Sequence, residues 1–310
     1  MFPDWLRVIL LFLTLVSFLP QFHQICARKN ASDIALSYVL LNLIAATEQF
    51  AVNFGYIALI SPRAGVFAHD PATIGDWLNL AQTTLVCLLF VVYFALCLSF
   101  PSQSNYNCKR LMLGAYIAYF VVAIIPLFLC AIVLKADDDK SAYREWPVVL
   151  AFTPHMLWLT YVGTVLVIMA TYRQAQAILH PDPSESQSQP ALASESESTS
   201  QVPFSLKRNS LSVCALAIQS MLFILLAASW IFRVVFPPLP EGATWWDSRV
   251  VKVWFEMVGS IAVDNAVFGI GQGLLLFLLL RSGRGGGDGA AGEGEGVLGT
   301  EREPLLRRAT

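Results

Sequence analysis

Charge is what this sequence has least of. Lys, Arg, Asp and Glu make up 14% of its 310 residues, against about 25% in soluble domains. With 56% apolar residues and a mean hydropathy of +0.59, that scarcity excludes a soluble globule. The apolar content equally excludes a chain disordered throughout. Basic residues are not in excess, since the net charge is −2, so there is no electrostatic footprint for nucleic acid. The six cysteines (Cys26, Cys87, Cys97, Cys108, Cys130 and Cys214) lie in or at the edges of apolar runs. None has zinc-like spacing, and they read as small packing residues rather than a disulfide framework. There is no metal-ligand set, no nucleophile elbow and no phosphate-binding loop; the Gly-rich stretch 285–289 lacks Lys and a flanking strand. The expectation is a protein that is not an enzyme and holds no metal or cofactor.

What is present is a series of long apolar runs. A helix crosses the hydrocarbon of a bilayer in about 20 apolar residues. Seven segments qualify, at roughly 5–26, 35–60, 77–99, 110–134, 148–172, 208–236 and 253–280. The first ends in Pro20-Gln21-Phe22-His23 with no Ala-x-Ala cleavage pattern, so it reads as a retained span. Placing the N-terminus outside the cytosol puts twelve of the 20 basic residues on the cytosolic side, which sets the orientation N-out, C-in. The connection with Lys135, Lys140 and Arg144 runs against that count. Two stretches cannot bury a core: 181–203, rich in Ser, Glu, Gln and Pro, and the Gly-rich tail 283–310. Both are expected to be disordered.

Polar side chains at membrane depth are costly and mark function by default. In the second span Tyr38, Asn42, Gln49 and Asn53 fall within roughly 60° of one another at 100° per residue. Glu48 lies on the flank of this stripe, near mid-span. Such alignment favours a water-lined cavity over simple interhelical bonding. The seventh span holds Asp264, with Asn265, Phe268 and Gln272 at roughly 100°, 40° and 80° from it. A carboxyl there can load a proton on an acidic side and release it on a neutral one. Asp76 falls at an interface, and His23 and His155 are single histidines suited to packing. In the first span Pro20 removes a helix hydrogen bond and is expected to bend the chain.

The run Ser17-x-x-Pro20-Gln21-x-x-x-Ile25, the basic pair Arg28-Lys29, and Ser32-x3-Leu36-Ser37 resemble the first motif of PQ-loop proteins. That family includes cystinosin-like amino-acid exporters of lysosomes and vacuoles, SWEET sugar carriers and KDEL receptors. The resemblance implies an all-α integral membrane fold of seven transmembrane helices in a 3+1+3, SWEET-like bundle. Here that would mean a first three-helix repeat at 1–100, a linker helix at 108–135 and a second repeat at 147–281. Pro20 and Gln21 would form the hinge. The matching stretch of the second repeat reads Arg173-Gln174, with Ile178, so it keeps the glutamine but lacks the proline. Asp264 followed by Gln272 is similar to the last helix of cystinosin-like carriers, where the Asp is implicated in proton coupling, although the spacing here is two residues longer.

The resemblance therefore implies a transporter, with proton-coupled export of an amino acid or similar small polar solute as the leading expectation. Tyr38, Asn42, Gln49, Asn53, Asn265 and Gln272 would line the cavity. Asp264 and Glu48 would carry the proton. The alternatives are a pH-independent sugar uniporter and a receptor or scaffold that transports nothing. The expected partners are membrane lipid, the solute and protons. Glu301, Leu305 and Leu306 fit an acidic dileucine sorting signal, an exposed segment that adaptor proteins would read. That points to a multi-pass protein of a vacuolar, lysosomal or related membrane. Asn30-Ala31-Ser32 is a glycosylation sequon that this topology leaves in the cytosol and unmodified.

Overall fold

The computed structural model describes residues 3–60, 72–102, 105–136, 145–155, 160–180, 211–233, 251–252, 254–255 and 259–284. Its main helices are α1 (Asp4–Arg28), α2 (Leu36–Gly55), α3 (Ile74–Ser99), α4 (Tyr106–Ala136), α5 (Glu145–Pro154), α6 (Thr160–Leu179), α7 (Val213–Arg233) and α8 (Ser260–Arg284). A π-helical turn, Tyr56–Ile60, prolongs α2. Among the described residues there is no strand.

Local sequence explains the helix ends. Asp4 sits in the first turn of α1, where a negative charge complements the helix dipole. Lys29 closes that helix in the left-handed region, at φ 49°. A capping box opens α3: the Thr73 hydroxyl accepts the Asp76 N–H, and the Asp76 carboxylate accepts the Thr73 N–H at 2.8 Å. Asp76 is thus a cap, as an interfacial position suggests. Pro20 lies inside α1, and the helix runs through it from Asp4 to Arg28.

Among the described residues, six helices are long and apolar enough to span a membrane: α1, α3, α4, α6, α7 and α8. This is a multi-pass helical membrane bundle. Two of the seven expected spans differ from these six helices. The second expected span is helical, 20 residues plus a five-residue π turn, but is not one of the six. Its Tyr, Asn, Glu and Gln side chains lower the hydropathy that length alone would satisfy. The fifth expected span, 148–172, is shared between α5 and α6, and only Thr160–Leu179 is long and apolar enough by itself.

The packing is reciprocal. Helix α3 lies against both α1 and α2, and α8 lies against both α6 and α7. Between these two groups α1 meets α7 and α2 meets α6, while α4 rests on α2. Outward faces are apolar, with Phe12, Leu88, Val122, Ile132 and Met221 all exposed, as a lipid-facing surface requires. Inside, Phe18, Phe90, Phe223 and Phe268 bring α1, α3, α7 and α8 together. Their ring centroids stand 5.4 Å (Phe18–Phe90), 5.7 Å (Phe90–Phe268) and 4.5 Å (Phe223–Phe268) apart. Such tilted aromatic pairs add roughly 0.5–1.5 kcal/mol each beyond area burial.

Two glycines permit close approach. At Gly55 a Cβ would collide with the Phe152 ring of α5, and at Gly271 with the Thr171 side chain of α6. Small residues at such crossings are how membrane helices pack without a hydrophobic drive between them.

Candidate functional site

A small cavity lies where α2, α3, α6, α7 and α8 converge. Asn42 and Gln49 reach it from α2, and Asp264 and Asn265 from α8. Phe90, Phe223 and Phe268 supply aromatic walls, with Ala45, Ala46, Val86 and Val167 filling between them. Asn42 and Gln49 are seven residues apart, two helical turns, which is why the stripe in the sequence presents both to one space.

Asp264 is 4% exposed. One carboxylate oxygen accepts the Thr164 hydroxyl of α6, and the other accepts Gln49 Nε2 at 3.2 Å. The acid therefore bridges α2, α6 and α8, and the cavity lining contains no basic side chain to neutralise it. The two asparagines are held alike. Asn42 Nδ2 donates to the Tyr38 carbonyl at 2.9 Å, and Asn265 Nδ2 to the Ile261 carbonyl at 2.7 Å, each four residues back. Asn42 Oδ1 has no hydrogen-bond partner among the described residues.

The other expected cavity residues stand apart from it. Gln272 Nε2 donates to the Tyr38 hydroxyl at 2.8 Å, joining α8 to α2 in a buried bond. Asn53 Nδ2 donates to the Thr83 hydroxyl of α3 at 3.2 Å. Glu48 is buried yet is not part of the lining. Its Oε1 lies 2.7 Å from His155 Nδ1, and its Oε2 accepts the Tyr119 hydroxyl at 2.8 Å. On a helix, successive residues point about 100° apart, so Gln49 facing Asp264 turns Glu48 toward α4 and α5.

Gln21 and Gln174 form reciprocal caps. Gln21 Oε1, on α1, accepts the N–H of Ser212, which begins α7, at 2.9 Å. Gln174 Oε1, on α6, accepts the N–H of Ala35, the N-cap of α2, also at 2.9 Å, and its Nε2 donates to the Asp33 carbonyl at 2.8 Å. Gln219 Nε2 adds a bond from α7 to the Ser17 carbonyl at 3.4 Å. Each glutamine thus satisfies an orphan backbone donor at a helix start. Pro20 beside Gln21 is half-buried. At the opposite end Arg7 and Arg233, both buried, donate to Asn79 Oδ1 at 3.4 and 3.3 Å, and Arg7 also donates to the Gly75 carbonyl at 2.7 Å.

Sequence reasoning did not single out Thr164, Tyr119, Phe90 or Phe223, and it read His155 as a packing residue. Thr, Tyr and Phe in apolar runs carry no signal of their own; His155, beside Pro154 within an apolar stretch, was the one legible hint. Glu301, Leu305 and Leu306, and the insert 181–203, lie outside the described residues.

Residues 3–58 match the family model of the PQ loop repeat. The match covers α1, α2 and the first residues of the π turn, including Pro20, Gln21, Asn42 and Gln49. No curated protein and no solved structure matches the chain.

Proposed function

We propose that this membrane protein is a PQ-loop carrier that exports a small polar solute, an amino acid in the first instance, into the cytosol down a proton gradient. The observation that carries the reading is Asp264: a buried carboxyl at the central cavity, flanked by Gln49, Asn42 and Asn265. Amides offer donors and acceptors to a zwitterion, and a carboxyl with no cation beside it is a group that can take up and release a proton. The match over residues 3–58 supports the family. The reciprocal packing of α3 and α8 supports two three-helix repeats joined by α4 as linker.

In this reading the N-terminus is lumenal and the C-terminus cytosolic, in a vacuolar, lysosomal or related membrane. Gln21 and Gln174 then close the cytosolic end over the cavity, and their release opens it. Glu301, Leu305 and Leu306 deliver the protein through adaptor binding. The test is solute-induced current after Leu305→Ala and Leu306→Ala send the chain to the cell surface. Amino acids are screened at acidic and neutral external pH. An inward current that needs acid and disappears in Asp264→Asn supports the carrier; silence with surface expression verified removes it.

The paired Asn42 and Asn265 among three Phe rings favour a second reading, a sugar uniporter. It predicts labelled-sugar uptake that ignores pH. Ligand binding with no flux of either kind leaves a receptor on the same fold.

A further inference from the structure

We infer that Glu48 and His155 form a second proton-binding site, separate from the cavity, in which one proton is shared between Glu48 Oε1 and His155 Nδ1. The argument is one of hydrogen-bond complementarity. His155 Nε2 lies 3.1 Å from the Ala123 carbonyl. A carbonyl oxygen only accepts, so Nε2 carries a hydrogen. Nδ1 lies 2.7 Å from Glu48 Oε1. Were the ring neutral with its hydrogen on Nε2, and the carboxyl ionised, two lone pairs would face each other across that distance. A proton must therefore lie between them, whether as imidazolium and carboxylate or as neutral imidazole and carboxylic acid.

The surroundings hold this pair and leave it no substitute. Glu48 is 4% and His155 2% exposed. Tyr119 from α4 donates to Glu48 Oε2 at 2.8 Å, so that oxygen already has its donor. The Ala123 carbonyl is also on α4, and the His155 carbonyl accepts the Thr160 hydroxyl at 2.6 Å. Among the described residues, the other titratable neighbours are Tyr116, whose hydroxyl pairs with Thr47, and Cys87, at 3.6 Å from the same Thr47. On the far side of α2 stands Asp264, tied to Gln49. With its proton the pair is neutral overall. Without it a net negative charge is left buried, which is costly at membrane depth.

Losing the proton also turns the contact between Glu48 of α2 and His155, the residue that follows α5, into a repulsion. The occupancy of the site thus sets how α5 sits against α2 and α4. Glu48 and Gln49 are adjacent in the chain, so that movement reaches the residue that donates to Asp264. The link to solute movement rests on the carrier reading; the shared proton does not.

The test needs no solute. The full chain, with ¹⁵N-labelled histidine, is placed in lipid nanodiscs and titrated by NMR. The chain has four histidines, and the signals absent from His155→Asn identify His155. Protonated and bare ring nitrogens resonate far apart. The expected result is Nε2 protonated at every pH at which the chain stays folded, and a single transition of Nδ1 that is lost in Glu48→Gln, where the amide donates to Nδ1 instead. Tyr119→Phe, which leaves the pair intact, displaces that transition without removing it. A bare Nε2 in the unaltered protein overturns the inference. So does a His155 transition that is the same in Glu48→Gln, or one that Tyr119→Phe leaves unmoved. Absence of transport would leave all of these readings in force.

Discussion

Gln21 and Gln174 each accept, at 2.9 Å, the backbone N–H at the start of a helix on the opposite side of the bundle. The two bonds are counterparts: α1 caps α7, and α6 caps α2. The proline that precedes the first glutamine is replaced by Arg173 before the second, yet the cap is the same. The glutamine, rather than the proline, is the element common to both sides.

Removing either cap leaves a backbone donor without its partner. Gln21→Ala is expected to destabilise the protein by about 1 kcal/mol, the usual cost of losing a cap. Gln174→Ala removes two bonds and is expected to cost about 2 kcal/mol. Thermal unfolding in detergent checks the ranking. Negligible losses would show that the caps contribute nothing, and equal losses that the second bond of Gln174 adds nothing.

Gly55 leaves room for the Phe152 ring. Gly55→Val should overpack this crossing and cost about 1–3 kcal/mol. Adding Phe152→Ala should restore part of the loss, because the ring that clashes is gone. A double variant no better than the sum of the single ones would refute the contact.

Thr164 donates to Asp264 from a neighbouring helix. Thr164→Val should displace the pH dependence of flux and cost about 1 kcal/mol of stability. Thr164→Ser keeps the hydroxyl and should behave as the unaltered protein. The two flux–pH curves, measured side by side, decide the matter.

The tail signal predicts a change of address. Leu305→Ala with Leu306→Ala should move the protein from internal membranes to the cell surface, read by surface biotinylation. Unchanged distribution would exclude the motif as the sorting signal.

Asn30 should carry no glycan, since the proposed topology keeps it cytosolic and its side chain already accepts the Ser32 N–H at 2.9 Å. A mobility shift on glycosidase treatment, lost in Asn30→Gln, would invert the topology.

Much of this molecule could be read in advance. Apolar runs located the helices, because the bilayer imposes length and composition at once. Of the α2 stripe, Asn42 and Gln49 line the cavity, together with Asp264 and Asn265 of α8. The reading failed where partners come from afar. Periodicity places Tyr38, Asn42, Gln49 and Asn53 on one face, but only packing reveals that Tyr38 meets Gln272 and Asn53 meets Thr83. Glu48, on the flank of that stripe, reads as a proton carrier, but the structure leaves it out of the cavity lining. Its partners His155 and Tyr119 lie 107 and 71 residues away, and no local pattern announces them. The fifth expected span, 148–172, is shared between α5, which ends at Pro154, and α6, which starts at Thr160.

The bonds that join the two sides of the bundle near Gln21 and Gln174 involve only amides and backbone groups. None carries a net charge, so opening them moves no charge through the membrane field. A transmembrane voltage, worth about 2.3 kcal/mol per elementary charge per 100 mV, does no work on that end directly. Any voltage dependence of such a protein would have to enter through groups that gain or lose charge deeper in the bundle. It would vary with their protonation, not with the strength of the clasp.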